Sequence, residues 1–193
     1  MNKIEIDCLT SFFKTINKSF SYVVTRNGDQ LPFLNRSNDI DILISRKDYE
    51  DFQLLMKNVF KSFGFDRLER TSFHGIECFT FYNIINNIPL SIKIDLFFNY
   101  EGGGVLYYNF EDIIKYRKTN SNGVYVFEPE IESYLTVFKT FAAGGKLKES
   151  YLESFLNNVL DTEIDLLKKS PSKKIVQLIK YVIFNKTNPK EIN

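Results

Sequence analysis

The 193-residue chain has no tryptophan, one histidine, two cysteines and two methionines. Each scarcity removes a class of chemistry. His74 stands alone beside Gly75 in a turn signal, so no Ser-His-Asp or Cys-His system can be assembled around it. Cys8 and Cys78 lack zinc-site spacing and read as reduced thiols. Charge of one sign is also missing. The 25 basic and 24 acidic residues leave a formal +1, which gives no electrostatic footprint for DNA or RNA. No stretch approaches the roughly 20 apolar residues that span a bilayer. The first twenty residues, MNKIEIDCLTSFFKTINKSF, lack a signal peptide's apolar run. A cytoplasmic protein without a transmembrane segment is expected. No internal repeat or low-complexity segment breaks the chain.

The chain is rich in phenylalanine and tyrosine, 19 and 11 residues, so an aromatic core is expected. Spacing predicts a first helix over 4–18, carrying Ile4, Leu9, Phe12, Phe13 and Ile16 on one side. SYVVTRN (21–27) reads as a strand and GDQLPFLNRSN (28–38) as a polar loop. DIDILIS (39–45) is the clearest strand. A helix follows over 47–63, with Tyr49, Phe52, Leu55, Val59 and Phe60 apolar-side and Gly64 at its C-cap. Runs 65–73, 77–84 and 89–98, with turns near His74-Gly75 and Asn86-Asn87, predict an antiparallel meander. Residues 105–127 mix short strands with a short helix near 110–116. Helices are expected near 129–142, 147–160 and 172–184, separated by Gly144-Gly145 and Ser170-Pro171. The organisation expected is an α/β domain over 1–127 and a helical part over 128–193.

Two strands carry acids where acids are unusual. In DIDILIS, Ile40, Ile42 and Ile44 point one way and Asp39, Asp41 and Leu43 the other. Carboxylates at i and i+2 stand roughly 7 Å apart at Cα and can turn toward one cation. In PLSIKIDLFF, Ile92, Ile94, Leu96 and Phe98 share one face, and Lys93, Asp95 and Phe97 the other. If the two strands pair, three carboxylates share a sheet face, an arrangement that a cation stabilises. The alternative is a solvated face with scattered acids. Mg²⁺ prefers such oxygen ligands and keeps sites for water and phosphate oxygens.

With this pattern the chain resembles the nucleotidyltransferase superfamily, which includes DNA polymerase beta-like enzymes and aminoglycoside nucleotidyltransferases. That motif is a strand, a Gly followed by Gly or Ser, about a dozen residues, an Asp-h-Asp strand (h is apolar), and an acid on a later strand. Here YVVTRN leads to Gly28, then Asp39-Ile40-Asp41, then Asp95. The resemblance covers roughly residues 20–100, and the helical half looks like the partner that closes the nucleotide cleft in small bacterial members. It implies a mixed sheet flanked by helices, an NTP substrate, and Mg²⁺ as one or two ions held by the catalytic residues Asp39, Asp41 and Asp95. It implies transfer of a nucleoside monophosphate to a sugar or other small acceptor. The run TRNGDQLP…NDIDILIS looks like proteins of surface-polysaccharide function, and a protein acceptor is implied by antitoxin-type relatives.

One position departs from the pattern. Asp29 stands where the family's Ser helps hold the triphosphate, and Arg26 or Arg36 is then expected to contact phosphate. Failing that, the chain is a non-catalytic member of the fold. Lys139 and Lys146 are candidate triphosphate contacts, with solvated lysines as the alternative. Gly145-Lys146 is not a Walker A motif, because Leu147 replaces the required Ser or Thr. Gly102-Gly103-Gly104 reads as a turn. The lysine-bearing helix near 172–184 reads as packing its apolar side and solvating its charges. Oligomeric state has no signal in the sequence.

Overall fold

In the computed structural model, the structure describes residues 2–33, 39–73, 75–85, 87–102, 105–142 and 146–159, together with positions 174, 177, 179 and 181. Among the described residues there are nine strands: β1 (Tyr22–Val24), β2 (Ile40–Ile44), β3 (Arg67–Phe73), β4 (Ile76–Ile85), β5 (Ile88–Phe97), β6 (Tyr100–Gly102), β7 (Val105–Tyr108), β8 (Arg117–Thr119) and β9 (Tyr125–Phe127). Helices are α1 (Lys3–Ser19), α2 (Tyr49–Ser62), α3 (Phe110–Ile113), α4 (Pro129–Ala142) and α5 (Glu149–Val159). The chain divides into two compact units, Met1–Phe98 with Ile113–Phe127, and Asn99–Asp112 with Glu128–Asn193.

The first unit holds a seven-stranded mixed sheet in the order β3-β4-β5-β2-β1-β9-β8. β2 runs parallel to β5, and β1 parallel to β9; the remaining pairs are antiparallel. The mixed α+β class expected from sequence is present, including the β3-β4-β5 meander. One face of this sheet is buried against α1 and α2. Ile40, Ile42 and Ile44 of β2, Ile92, Ile94 and Leu96 of β5, and Phe79 and Phe81 of β4 join Phe12, Phe52 and Phe60 in one core. The strand alternation that buries those isoleucines turns Asp39 and Asp41 to the other face.

Local chemistry explains the helix ends. Asn2 caps α1: its side chain accepts from Ile4 N–H, and the Glu5 carboxylate accepts from Asn2 N–H. At the end of α2, Gly64 adopts φ +83°. Its N–H donates to Lys61 C=O and Phe65 N–H donates to Phe60 C=O, the paired bonds of a Schellman cap. The ring of Phe65 packs on Phe60 across that cap. On α2 the structure buries Met56 fully and leaves Leu55 and Val59 partly buried, a small rotation from the expected apolar side.

The strand expected over 21–27 is only Tyr22–Val24. Asn27 enters the left-handed region at φ 55°, which turns the chain into a short 3₁₀ segment at Gly28–Gln30. Gly28 is buried there. A Cβ added to it would lie 2.4 Å from Val126 Cγ1 and 3.3 Å from Val24 Cβ, so only glycine lets this turn sit on β1 and β9. Gly28→Ala is expected to destabilise the fold by about 1–3 kcal/mol, read as a lower urea midpoint with an unchanged m-value. A midpoint equal to wild type would show that the turn lifts away at little cost.

In the second unit, β6 and β7 form a hairpin, and α4 packs against α5. Tyr108 and Tyr134 share a buried hydroxyl hydrogen bond of 2.8 Å, and the Phe138 ring packs on Tyr107, Tyr108 and Tyr134. The helix expected near 172–184 falls largely outside the described residues. Positions 174, 177, 179 and 181 are helical, and Ile179 is buried.

Candidate active site

β2 and β5 are neighbouring parallel strands in the middle of the sheet, and their register pairs Asp41 directly with Asp95. Residues paired in this way project from the same face. Asp39 lies two residues before Asp41, and Lys93 two residues before Asp95. All four side chains therefore stand on the face opposite the α1–α2 core. On β4, Cys78 is in register with Asp95 and extends the same row.

The backbone thus gathers Asp39, Asp41 and Asp95 onto one face. Among the described residues, however, no three Asp, Glu, His or Cys side chains are drawn together as a metal-holding cluster. Cationic side chains take that place. The Nε–H of Arg26 donates to Asp41 Oδ2, whose side chain is 3% exposed. Lys93 Nζ donates to Asp39 Oδ2 at 2.8 Å and lies 3.5 Å from Asp95 Oδ2. The hydrogen bond to Asp39, reinforced by the charges of Asp95 and Asp39, holds the Lys93 ammonium above its ordinary pKa. Two cations thus face three carboxylates.

Asp95 is less well served than its neighbours. Its side chain is 13% exposed, and its Oδ1 is buried with no hydrogen-bond partner among the described residues. A buried carboxylate oxygen without a partner is costly, and it is an acceptor that a cation can satisfy. The donor set is carboxylate oxygen throughout, which suits a hard divalent ion such as Mg²⁺. On those two observations the residues fit the ion that the resemblance implies. Cys78 adds no reactive thiolate to this row. Burial first, and the neighbouring Asp95 second, push its thiol up to about 11. Cys8 is buried in the core and pushed up to about 12 by burial alone.

The other candidates divide by location. Gly28 sits in the turn that follows Arg26, and that turn is tied down from a distant loop. The Asn120 side-chain amide donates to Gly28 C=O at 2.9 Å, and the Asn122 amide to Leu31 C=O at 2.8 Å. Asp29 is exposed on this turn. Arg26, a candidate phosphate contact, pairs here with Asp41. Arg36 lies outside the described residues. Lys139 on α4 and Lys146 ahead of α5 are exposed and belong to the second unit. From sequence, Lys93 receives no role, although it lies on the Asp95 face. Its signal is the i−2 spacing, which places a cation beside the acid on an alternating strand.

No protein-family model matches the chain, and no curated protein matches it significantly. Among solved structures, JHP933 from Helicobacter pylori is similar with a TM-score of 0.55 at 10% identity, over 88% of this chain and 73% of that one. The likeness is one of fold. TM1012 from Thermotoga maritima, a provisionally assigned nucleotidyltransferase, aligns with a TM-score of 0.39 at 19% identity, over 81% of this chain and 96% of that one. The architecture is a mixed α+β fold, a seven-stranded mixed sheet with helices. No helix among the described residues is long and apolar enough to cross a membrane.

Proposed function

We propose that this chain is a Mg²⁺-dependent nucleotidyltransferase that moves a nucleoside monophosphate from an NTP to a hydroxyl or phosphate of a small acceptor. The observation that carries this reading is the in-register pairing of Asp41 with Asp95 on parallel central strands, with Asp39 on the same face. Asp39, Asp41 and Asp95 would hold the divalent ion. When bound, that ion neutralises triphosphate charge and polarises the phosphoryl oxygens. The chain's own contribution is position. The carboxylates stand on two hydrogen-bonded strands backed by a packed aromatic core, so their separation is fixed before substrate arrives. In the reaction, an acceptor oxygen bonds to the α-phosphorus, and the bond from that phosphorus to the α–β bridging oxygen breaks. Pyrophosphate leaves with the electron pair. Asp95 would then help to take the acceptor proton.

A second reading is favoured by a specific observation. Asp29 replaces the phosphate-binding Ser, and Arg26 and Lys93 already occupy the acids. A non-catalytic protein of this fold, binding a nucleotide without turnover, accounts for both. The readings separate in one assay, in which the protein is incubated with each NTP, Mg²⁺ and a mixture of sugars and phosphorylated metabolites. Mg²⁺-dependent pyrophosphate release supports transfer. Nucleotide binding without pyrophosphate supports the second reading.

A further inference from the structure

Lys93 occupies a position that the transfer reading leaves unexplained. It faces two carboxylates on two different strands, Asp39 at 2.8 Å and Asp95 at 3.5 Å. A lysine at the edge of a polar site usually points into solvent and pairs with at most one acid. Here the ammonium bridges the ends of two adjacent strands, across the gap where a divalent ion held by Asp39 and Asp95 would sit. The bridge follows from register: Ile40 pairs with Ile94, so the preceding residues, Asp39 and Lys93, meet across the strands. The lysine side chain is 39% exposed, so it has room to swing away.

We infer that Lys93 is a resident counter-ion of the acidic face, which must be displaced before a divalent cation binds between Asp39 and Asp95. This rests on the metal-dependent reading above and deepens it. The three carboxylates repel one another, and the ammonium relieves that repulsion in the resting protein. A divalent ion arriving alone competes with a tethered cation at high local concentration, so it binds weakly. A triphosphate changes the balance. Its oxygens bring negative charge, and a lysine ammonium is a mobile point charge with three donors suited to a phosphate oxygen. Lys93 leaves the carboxylates for the phosphate as the metal enters. Divalent-ion binding is thereby coupled to nucleotide binding, and Lys93 acts as a positioning residue for the acids.

The test measures Mn²⁺ binding to the full chain by the loss of free-ion electron paramagnetic resonance signal, without nucleotide and then with a non-hydrolysable ATP analogue. The variants are Lys93→Met, Lys93→Gln and Lys93→Arg. Met and Gln remove the charge in two different ways, so one poorly folding variant does not decide the outcome. Without nucleotide, both neutral variants are expected to bind Mn²⁺ at least about tenfold more tightly than wild type, because a unit positive charge has left the ion's immediate surroundings. Lys93→Arg is expected to stay within about threefold of wild type, since it keeps the charge. Neutral variants that bind no more tightly than wild type overturn the inference. If wild type nevertheless binds Mn²⁺ together with the analogue, the metal-dependent reading survives that failure. If no protein binds Mn²⁺ under either condition, both fall together.

Discussion

Asp41→Asn in the full chain is expected to cut Mg²⁺-dependent pyrophosphate release by roughly 10²–10³-fold or more, the scale reported for removing one preorganised electrostatic contact at a reacting phosphoryl or acyl group. The substitution preserves volume and one acceptor oxygen but removes the charge. Asp41 is nearly inaccessible, and its backbone lies in register with Asp95 and accepts from Thr25 N–H at 2.8 Å. Those backbone bonds persist in the variant, so the fold is retained. Arg26, 40% exposed, keeps access to water when its anionic partner is gone. The unfolding midpoint is therefore expected to move little while activity collapses. Equal pyrophosphate release by wild type and Asp41→Asn would remove Asp41 from the catalytic assignment.

The largest structural effect is expected from Phe60→Ala. Phe60 is fully buried at the junction of α1, α2 and the sheet. Its ring centroid lies 4.3 Å from Phe81 on β4, 5.4 Å from Phe12 on α1 and 6.1 Å from Phe65 at the α2 cap. Truncation removes those ring contacts together and leaves a cavity that the stiff aromatic neighbours cannot refill. A loss of about 3–5 kcal/mol is expected. Against a typical total of about 5–15 kcal/mol, that takes a large share of the stability. Denaturant unfolding followed by circular dichroism measures it. A loss below about 1 kcal/mol would mean that the core collapses around the gap and that Phe60 is not its keystone.

Much of the acidic face was legible because it depends on a period of two. DIDILIS and PLSIKIDLFF alternate so strictly that the face of each acid follows from residue parity alone. The conditional step, that the two strands pair, is realised as β2 beside β5. Gly64 was readable as a helix stop for an equally local reason, since the Schellman cap needs a residue at positive φ. What escaped sequence was long-range. Asn120 fastens the Gly28 turn from 92 residues away, and no local pattern announces such a bond. Arg26 carries no local signal for the partner that its cationic end takes. In the structure it pairs with an acid 15 residues on, carried by β2, which runs antiparallel to the β1 strand that ends two residues before Arg26. β6 and β7 form a sheet of their own rather than joining the seven-stranded one, because pairing partners and not strand propensity decide which sheet a strand enters.

Asp39, Asp41 and Asp95 are proposed to form a cation-dependent nucleotide site. Titration calorimetry of wild-type protein with each non-hydrolysable NTP analogue, in Mg²⁺ and again in EDTA, addresses it most directly, with Asp41→Asn as the comparison. The expected result is binding of at least one analogue in Mg²⁺ that is lost in EDTA and weakened at least about tenfold in Asp41→Asn. Binding that is equal in Mg²⁺ and EDTA and indifferent to Asp41, or no binding of any analogue, would contradict it.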